Sequence, residues 1–114
     1  MTTTRAGNPG PDRKKGENKM TYSIFQLPIE HDNVFMSHSF TEKHGGVKIS
    51  DYKTVYTGQI EGTDVNEILE KLYVKFNIDH PADYRARSLS MSDLVALEGT
   101  GTYFCDSFGW KQIS

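Results

Sequence analysis

Residues 64–81 read DVNEILEKLYVKFNIDHP and carry the strongest local signal in the sequence. Its apolar residues recur every three or four positions, which places them on one face of a helix; they are Val65, Ile68, Leu69, Leu72 and Phe76. Asp64 and Glu67 have the spacing of a capping box, with aspartate at the cap position. Asn77 can close a helix in the left-handed conformation, and Pro81 cannot continue one. The stretch predicts an amphipathic helix of about three turns, packed on a sheet.

Two segments before this helix have the pattern of strands. Residues 22–27 alternate at strand spacing with apolar residues on both faces, and Pro28 ends the segment. Residues 51–60 are rich in tyrosine and threonine, which favour strands. Gly58 indicates either a bulge or a close approach of another part of the chain. These segments predict the first two strands of the sheet.

The chain between these two strands is less regular. Residues 34–36 are Val-Phe-Met, a short apolar island that predicts a turn of helix docked on the core. Residues 38–46 are polar and end in two glycines, which predicts a loop.

After the helix the chain returns to strand character. A loop over residues 82–90 leads into three short strands, predicted at residues 94–97, 103–105 and 110–113. The first is a continuous apolar run, as in a strand that is buried on both faces. Gly99–Gly101 and Asp106–Gly109 have the residues that turns prefer. We predict an α+β fold, in which a small, mainly antiparallel sheet carries one main amphipathic helix and ends in a three-stranded meander.

Length and composition limit the class of protein. The chain has 114 residues, which suits one domain. No apolar run approaches the roughly 18–20 residues that a membrane span requires. Cys105 is the only cysteine, so an intrachain disulfide is impossible, and this fits the reducing cytoplasm. We expect a cytoplasmic protein that contacts no membrane.

The first 20 residues differ in character from the rest. They are poor in hydrophobic residues and carry a net charge of +3, whereas residues 21–114 carry −5. Such a segment buries too little apolar surface to offset its ordering entropy, so we predict a disordered basic tail before one domain at residues 21–114. Arg13–Lys15 could bind nucleic acid, but the acidic body disfavours this for the domain itself. We also expect residues 1–19 to be dispensable, with Met20 as a native start.

Few residues suggest catalysis or metal binding. The histidines lack the spacing of a metal site and favour surface positions; they are His31, His38, His44 and His80. Cys105 lies beside aromatic residues in a predicted strand, which favours a buried, inert thiol over a nucleophile. We expect no catalytic residue, cofactor or metal.

The serine-rich segment from Ser88 to Asp93 has two interpretations. Its hydroxyls and carboxylate could bind an anion or supply a nucleophile. The same side chains also bond nearby backbone N–H groups and organise turns, here one that leads into the buried strand.

Four segments carry a resemblance to a known family. They are Tyr52 with Val55-Tyr56-x-Gly58, FNIDHP at 76–81, RSLSMSDL at 87–94 and YFCDSFGW at 103–110. In this order they resemble the YodL-like domain, a small domain of bacterial conjugative elements, phages and Firmicutes genomes, over residues 22–113. Met91 stands where a small β-branched residue is usual, Cys105 where valine is commoner, and Ala86 where glycine is usual.

The resemblance implies an accessory or conflict domain of a mobile genetic element that meets and alters a host protein. It brings no catalytic residues. The first hypothesis for function is a non-enzymatic binding module that inhibits a host defence or cell-growth factor. The second is a nucleic-acid-associated protein that uses the basic tail, and the third is a hydrolase that uses Cys105 or the serine-rich segment.

The candidate site comes from the two densest family segments; its residues are Ser88, Ser90, Ser92, Asp93, Asp106, Ser107, Phe108, Gly109 and Trp110. We predict that the two segments lie close together and brace each other. In this interpretation Ser90 or Ser92, together with Asp93, bonds free backbone N–H groups at the strand entry. Asp106 does the same for the turn ending at Gly109, while Phe108 and Trp110 cover the edge of the meander. In the alternative, the same residues form an exposed recognition patch, since tryptophan and other aromatics anchor many interfaces.

Overall fold

The computed structural model describes residues 19–114 and confirms the predicted α+β fold. The strands are β1 (Lys19–Gln26), β2 (Lys53–Glu61), β3 (Leu94–Leu97), β4 (Gly101–Asp106) and β5 (Gly109–Gln112), and the helices are α1 (His38–Lys43) and α2 (Val65–Ile78). The strands form one antiparallel sheet in the order β2-β1-β3-β4-β5, which ends in the predicted meander. β1 includes Lys19 and Met20, and the rest of the predicted tail lies outside the described residues.

The predicted helix packs one face on the sheet. Its buried residues are Ile68, Leu69, Leu72 and Phe76, as the apolar stripe predicted, and Val65 is half-buried. They meet Tyr22 and Ile24 of β1 and Val95 of β3 in one hydrophobic core. Because β1 and β3 are both inner strands and β3 begins the meander, this core fixes the position of α2 relative to the meander.

Both ends of α2 differ from the prediction. Asp64 is the N-terminal cap residue, but its side chain makes no capping hydrogen bond, so the predicted capping box is wrong. The helix has 14 residues and continues past Asn77 to Ile78. Asn77 does not close it, because its side-chain amide donates to the carbonyls of Tyr73 (2.7 Å) and Leu89 (3.0 Å). Asn77 therefore holds the loop that leads to β3.

The segment between β1 and β2 contacts the opposite side of the sheet. The predicted loop at residues 38–46 is wrong, because it contains α1, which begins where Ser37 Oγ accepts from Phe40 N–H (3.1 Å). The predicted helical turn at residues 34–36 is also wrong, since these residues lie in a turn. Phe35 has a φ of +65°, outside the helical region. His38 places its ring 5.2 Å from that of Phe104 in β4.

Gly58 marks a close approach, as expected. A Cβ atom there would lie 2.8 Å from the hydroxyl of Tyr22, so a side chain would displace that ring. The bulge in this ladder lies instead at Val55, where the register shifts opposite Ile24 and Phe25. The bulge is thus three residues from Gly58, and the glycine makes room for Tyr22.

None of the helices in residues 19–114 is long and apolar enough to cross a membrane.

Candidate functional site

The two segments that the sequence singled out meet beside β4. Ser92 N–H donates to the carbonyl of Cys105 (2.9 Å), and Cys105 N–H donates to the carbonyl of Asp93 (2.9 Å). The prediction that the segments lie close together is confirmed. Their side chains, however, divide into a buried group and an exposed group.

Asp93 belongs to the buried group and is 0% exposed. Its Oδ2 accepts from Ser90 N–H (2.7 Å) and from Nε2 of Gln26 (3.0 Å). Arg87 Nη2 lies 3.6 Å from its Oδ1, and the same nitrogen donates to the carbonyl of Leu27 (2.9 Å). The carboxyl therefore satisfies a backbone N–H group at the entry to β3, as the structural interpretation predicted, and it also connects the start of β3 to the end of β1.

The surroundings of Asp93 favour its protonated form. Burial raises the pKa of Asp93 from 3.8 to about 7, although the hydrogen bonds from Ser90 and Gln26 and the charge of Arg87 act to lower it. A carboxyl with this pKa resembles a catalytic acid. A buried group with no exposed surface, though, cannot meet a substrate.

Ser92 holds the segment between β1 and β2 against the sheet. It is fully buried, with a φ of +84°, and its Oγ accepts from the N–H of Phe35 (2.9 Å). The Tyr52 hydroxyl donates to the carbonyl of Ser92 (2.9 Å). Phe35 and Ser92 are the two non-glycine residues with positive φ among residues 19–114. Such conformations cost about 1–3 kcal/mol each and persist where surrounding contacts fix them, as these hydrogen bonds do.

Ser88 and Ser90 shape the turn before β3. The Ser88 carbonyl accepts from the Ser90 hydroxyl (2.9 Å) and from Gln26 Nε2 (3.3 Å). Both serines therefore make bonds within the fold.

Asp106 joins the β4–β5 turn to α1. Its Oδ1 accepts from the N–H groups of Ser107 (2.8 Å) and His38 (3.0 Å). Partial burial acts to raise the pKa of Asp106, but these hydrogen bonds and the nearby His38 outweigh it, and the pKa is lowered. Asp106 organises the turn as predicted and, in addition, holds the first residue of α1.

Phe108 belongs to the exposed group. It is 98% exposed at the tip of the β4–β5 hairpin, so the prediction that it covers the edge of the meander is wrong. The turn lies between the paired residues Asp106 and Gly109, and it projects Phe108 beyond the sheet. Gly109 has a φ of +81°, which explains the glycine there.

A groove lies beside this tip, between α2 and the hairpin. It has a volume of about 320 Å³, and its lining includes Glu70, Tyr73, Met91, Cys105, Asp106 and Trp110. We call it the hairpin groove. Its charged lining residues are both acidic, and its aromatic residues lie next to the turn that carries Phe108. The groove therefore combines negative charge with aromatic surface.

Cys105 lies in the groove wall but is buried. Burial, followed by the charges of Asp93, Asp106 and Glu70, raises the pKa of the thiol to about 12. The reactive thiolate is therefore scarce at neutral pH. Within residues 19–114, no group of three or more histidine, cysteine, aspartate or glutamate side chains could hold a metal ion.

Sequence reasoning missed several partners. Tyr73 and Glu70 line the groove from α2, and a signal for Tyr73 was present, because Tyr73-Val74 and Ile78 add apolar residues outside the buried stripe. Gln26 and Arg87 carry no sequence signal for their contacts with Asp93, because they depend on how β1 pairs with β3.

Comparison with known proteins agrees with the resemblance seen in the sequence. The family model for the YodL-like domain matches residues 21–114. The Bacillus subtilis (strain 168) protein named "Uncharacterized protein YodL" is 28% identical over 87 residues, which cover 71% of this chain and 78% of that protein. No solved structure matches the chain significantly. The chain belongs to the YodL-like domain family.

Proposed function

We propose that this protein is a non-enzymatic accessory module of a mobile genetic element or phage, which binds a host protein through the hairpin groove and thereby inhibits it. The observation that carries the proposal is the 98% exposure of Phe108 beside that groove. A fully exposed phenylalanine gains from burial by a partner, and aromatic side chains dominate many interfaces.

The surroundings of Phe108 support a protein partner. Tyr73 and Trp110 line the groove from α2 and from β5, and Phe108 lies in the chain between two further lining residues, Ser107 and Gly109. Glu70 and Asp106 add negative charge in the same place. Such charges favour a basic partner and accelerate its association.

The buried polar groups support binding over catalysis. Ser92 and Asp93, which could supply a nucleophile and an acid, make hydrogen bonds inside the fold and are fully buried. The mobile-element context and the host partner are parts of the proposal that rest on the family resemblance.

Affinity capture of the full chain from a bacterial host lysate tests this proposal. Phe108→Ser removes the exposed aromatic ring, and Ile29→Ser is the matched control, because Ile29 is 63% exposed and lines neither the hairpin groove nor another described groove. We expect the parent and Ile29→Ser to retain a partner that Phe108→Ser loses. Capture of the same partner by all three chains, or no partner for the parent, would contradict the proposal.

The nucleic-acid alternative has a separate test. The full chain and a chain that starts at Met20 can be compared on heparin at low salt. The nucleic-acid alternative expects retention of the full chain and loss of retention in the chain that starts at Met20. The proposed function expects both chains to capture the same host protein.

A further inference from the structure

The strand β5 lies at the end of the strand order, and among residues 19–114 it pairs with β4 alone. Ile113 N–H bonds to the carbonyl of Thr102 (2.8 Å), and in antiparallel strands the residues that bond to a neighbour alternate. Lys111 therefore bonds to β4, whereas the N–H and C=O groups of Trp110 and Gln112 point away from the sheet.

A groove lies on each face of the sheet along this edge. Trp110 lines the hairpin groove on the α2 side. On the other side a groove of about 400 Å³ is lined by residues that include His38, Glu42, Val47, Ile49, Lys111 and Ile113, and we call it the α1-side groove. Successive side chains of a strand point to opposite faces. A strand laid along β5 would therefore place alternate side chains in the two grooves.

We infer that β5 is the docking edge for an extended segment of the partner protein, which joins the sheet as a sixth strand. This rests on the proposed function and specifies how the partner binds. Backbone hydrogen bonds to Trp110 and Gln112 would hold the segment, and the grooves would select its side chains, as in other cases of strand addition.

The linings indicate the chemistry of that segment. Glu70 and Asp106 in the hairpin groove favour basic side chains. The α1-side groove has a mixed lining, in which Val47, Ile49 and Ile113 offer contacts to aliphatic side chains beside the charged Glu42 and Lys111. The fitting segment therefore alternates basic and aliphatic residues.

A second copy of this chain fits less well. Two β5 strands can pair antiparallel with Lys111 of one opposite Lys111 of the other, or with Trp110 opposite Trp110. In neither register does the added strand alternate basic and aliphatic residues, because β5 reads Gly-Trp-Lys-Gln. Like charges in directly opposite positions destabilise a strand pair. We therefore assign the edge to a different protein.

A capped peptide that alternates arginine and valine over eight residues is the probe, and fluorescence anisotropy with the full chain gives its Kd. A peptide with the same composition but four arginines followed by four valines is the composition control. Two further peptides carry backbone N-methyl groups. The first is methylated at every arginine, and the second is methylated at every valine. Because alternate N–H groups of a strand point to opposite edges, N-methylation of the edge that faces β5 blocks pairing, and N-methylation of the other edge does not.

We expect the alternating peptide to bind, the block peptide to bind at least about tenfold more weakly, and one of the two methylated peptides alone to retain binding. No binding of the alternating peptide, or equal binding of both methylated peptides, would overturn the inference. If Phe108→Ser still abolishes capture of the host partner in that case, the proposed function stands and strand addition alone fails.

Variants of Gln112 test the protein side. Gln112→Pro removes the outward N–H at an edge position where proline is tolerated, and Gln112→Ala removes the same side-chain bonds to Thr100 and Ser114 but keeps the N–H. We expect about a tenfold weaker Kd for the proline variant relative to the alanine variant, provided that both melt like each other. Equal affinity of the two variants contradicts the inference.

Amide exchange gives an independent readout of the same edge. On peptide binding, the amides of Trp110 and Gln112 should become protected while that of Lys111 changes little. Protection of Trp110 and Gln112 that rises with protein concentration alone would assign the edge to a second copy and overturn our assignment.

Discussion

Replacement of Asp93 by alanine tests whether this buried carboxyl holds β3 to β1. The change removes the acceptor of Ser90 N–H (2.7 Å) and of Gln26 Nε2 (3.0 Å). A buried donor without a partner costs about 1–3 kcal/mol, and Arg87 also loses the carboxyl 3.6 Å away. The two unpaired donors set the size of the free-energy cost, and water that enters the vacated space offsets part of that cost. We expect Asp93→Ala to lower the free energy of unfolding by about 2–4 kcal/mol.

Urea unfolding followed by circular dichroism measures this difference. Asp93→Asn is the matched control, because it keeps the size of the side chain and one oxygen that can accept from Ser90 N–H. Glu98→Ala removes an exposed carboxyl and should change stability by less than about 0.5 kcal/mol. Unfolding of Asp93→Ala at the same free energy as Glu98→Ala would refute our account of the buried group.

The pKa of Asp93 is raised to about 7, so its contribution to stability is complete below pH about 4 and is lost as the pH rises through about 7. Asp93→Asn should remove this loss of stability between pH about 4 and about 7, and the free energy of unfolding measured at several pH values checks it. The lowered pKa of Asp106 has the opposite sign: it stabilises the fold above its unfolded pKa, and Asp106→Asn should reduce the loss of stability in acid. Leu72→Ala should cost about 2–5 kcal/mol by urea unfolding, and Lys71→Ala less than about 0.5, so equal costs would mean that the phase of α2 is wrong. A chain that starts at Met20 should melt at the temperature of the full chain, and a large drop would show that the preceding residues support the domain.

The parts of the fold that the sequence predicts are those with a local physical cause. The stripe of Leu69, Leu72 and Phe76 follows from helical periodicity, and it is buried as expected. The apolar run at residues 94–97 becomes β3, which is paired on both sides. Gly58 carries a local signal as well, since a residue without a side chain in a strand indicates a close neighbour.

The parts that were missed depend on distant residues. α1 has no apolar stripe, and its first residue is held by Asp106, which lies 68 positions away along the chain. Asn77 resembles a helix end, but it lies within α2, where its side-chain amide donates to the carbonyl of Leu89 in the following loop. Asp64 resembles a capping side chain and makes no such bond. Local propensity cannot reveal these outcomes, because tertiary contacts decide them.

The candidate site divides in the same way. The turn residues Asp106 and Gly109 were predicted in their structural roles, because turn chemistry is local. The exposure of Phe108 agrees only with the alternative interpretation, an exposed patch, since it depends on whether another element covers the hairpin tip. Glu70 and Tyr73 reach the groove from α2, and their position beside β5 follows from the packing of that helix.

Thermal melting and partner capture, measured together on Phe108→Ser and Asp93→Ala, separate the exposed binding residue from the buried structural one. We predict that Phe108→Ser melts within about 2–4 °C of the parent, because an exposed side chain contributes little to stability, and that it loses the host partner. Asp93→Ala should melt well below the parent and still capture the partner at a temperature where it is folded. A variant pair with the opposite behaviour, in which Asp93→Ala melts like the parent but loses the partner and Phe108→Ser keeps it, would contradict the account.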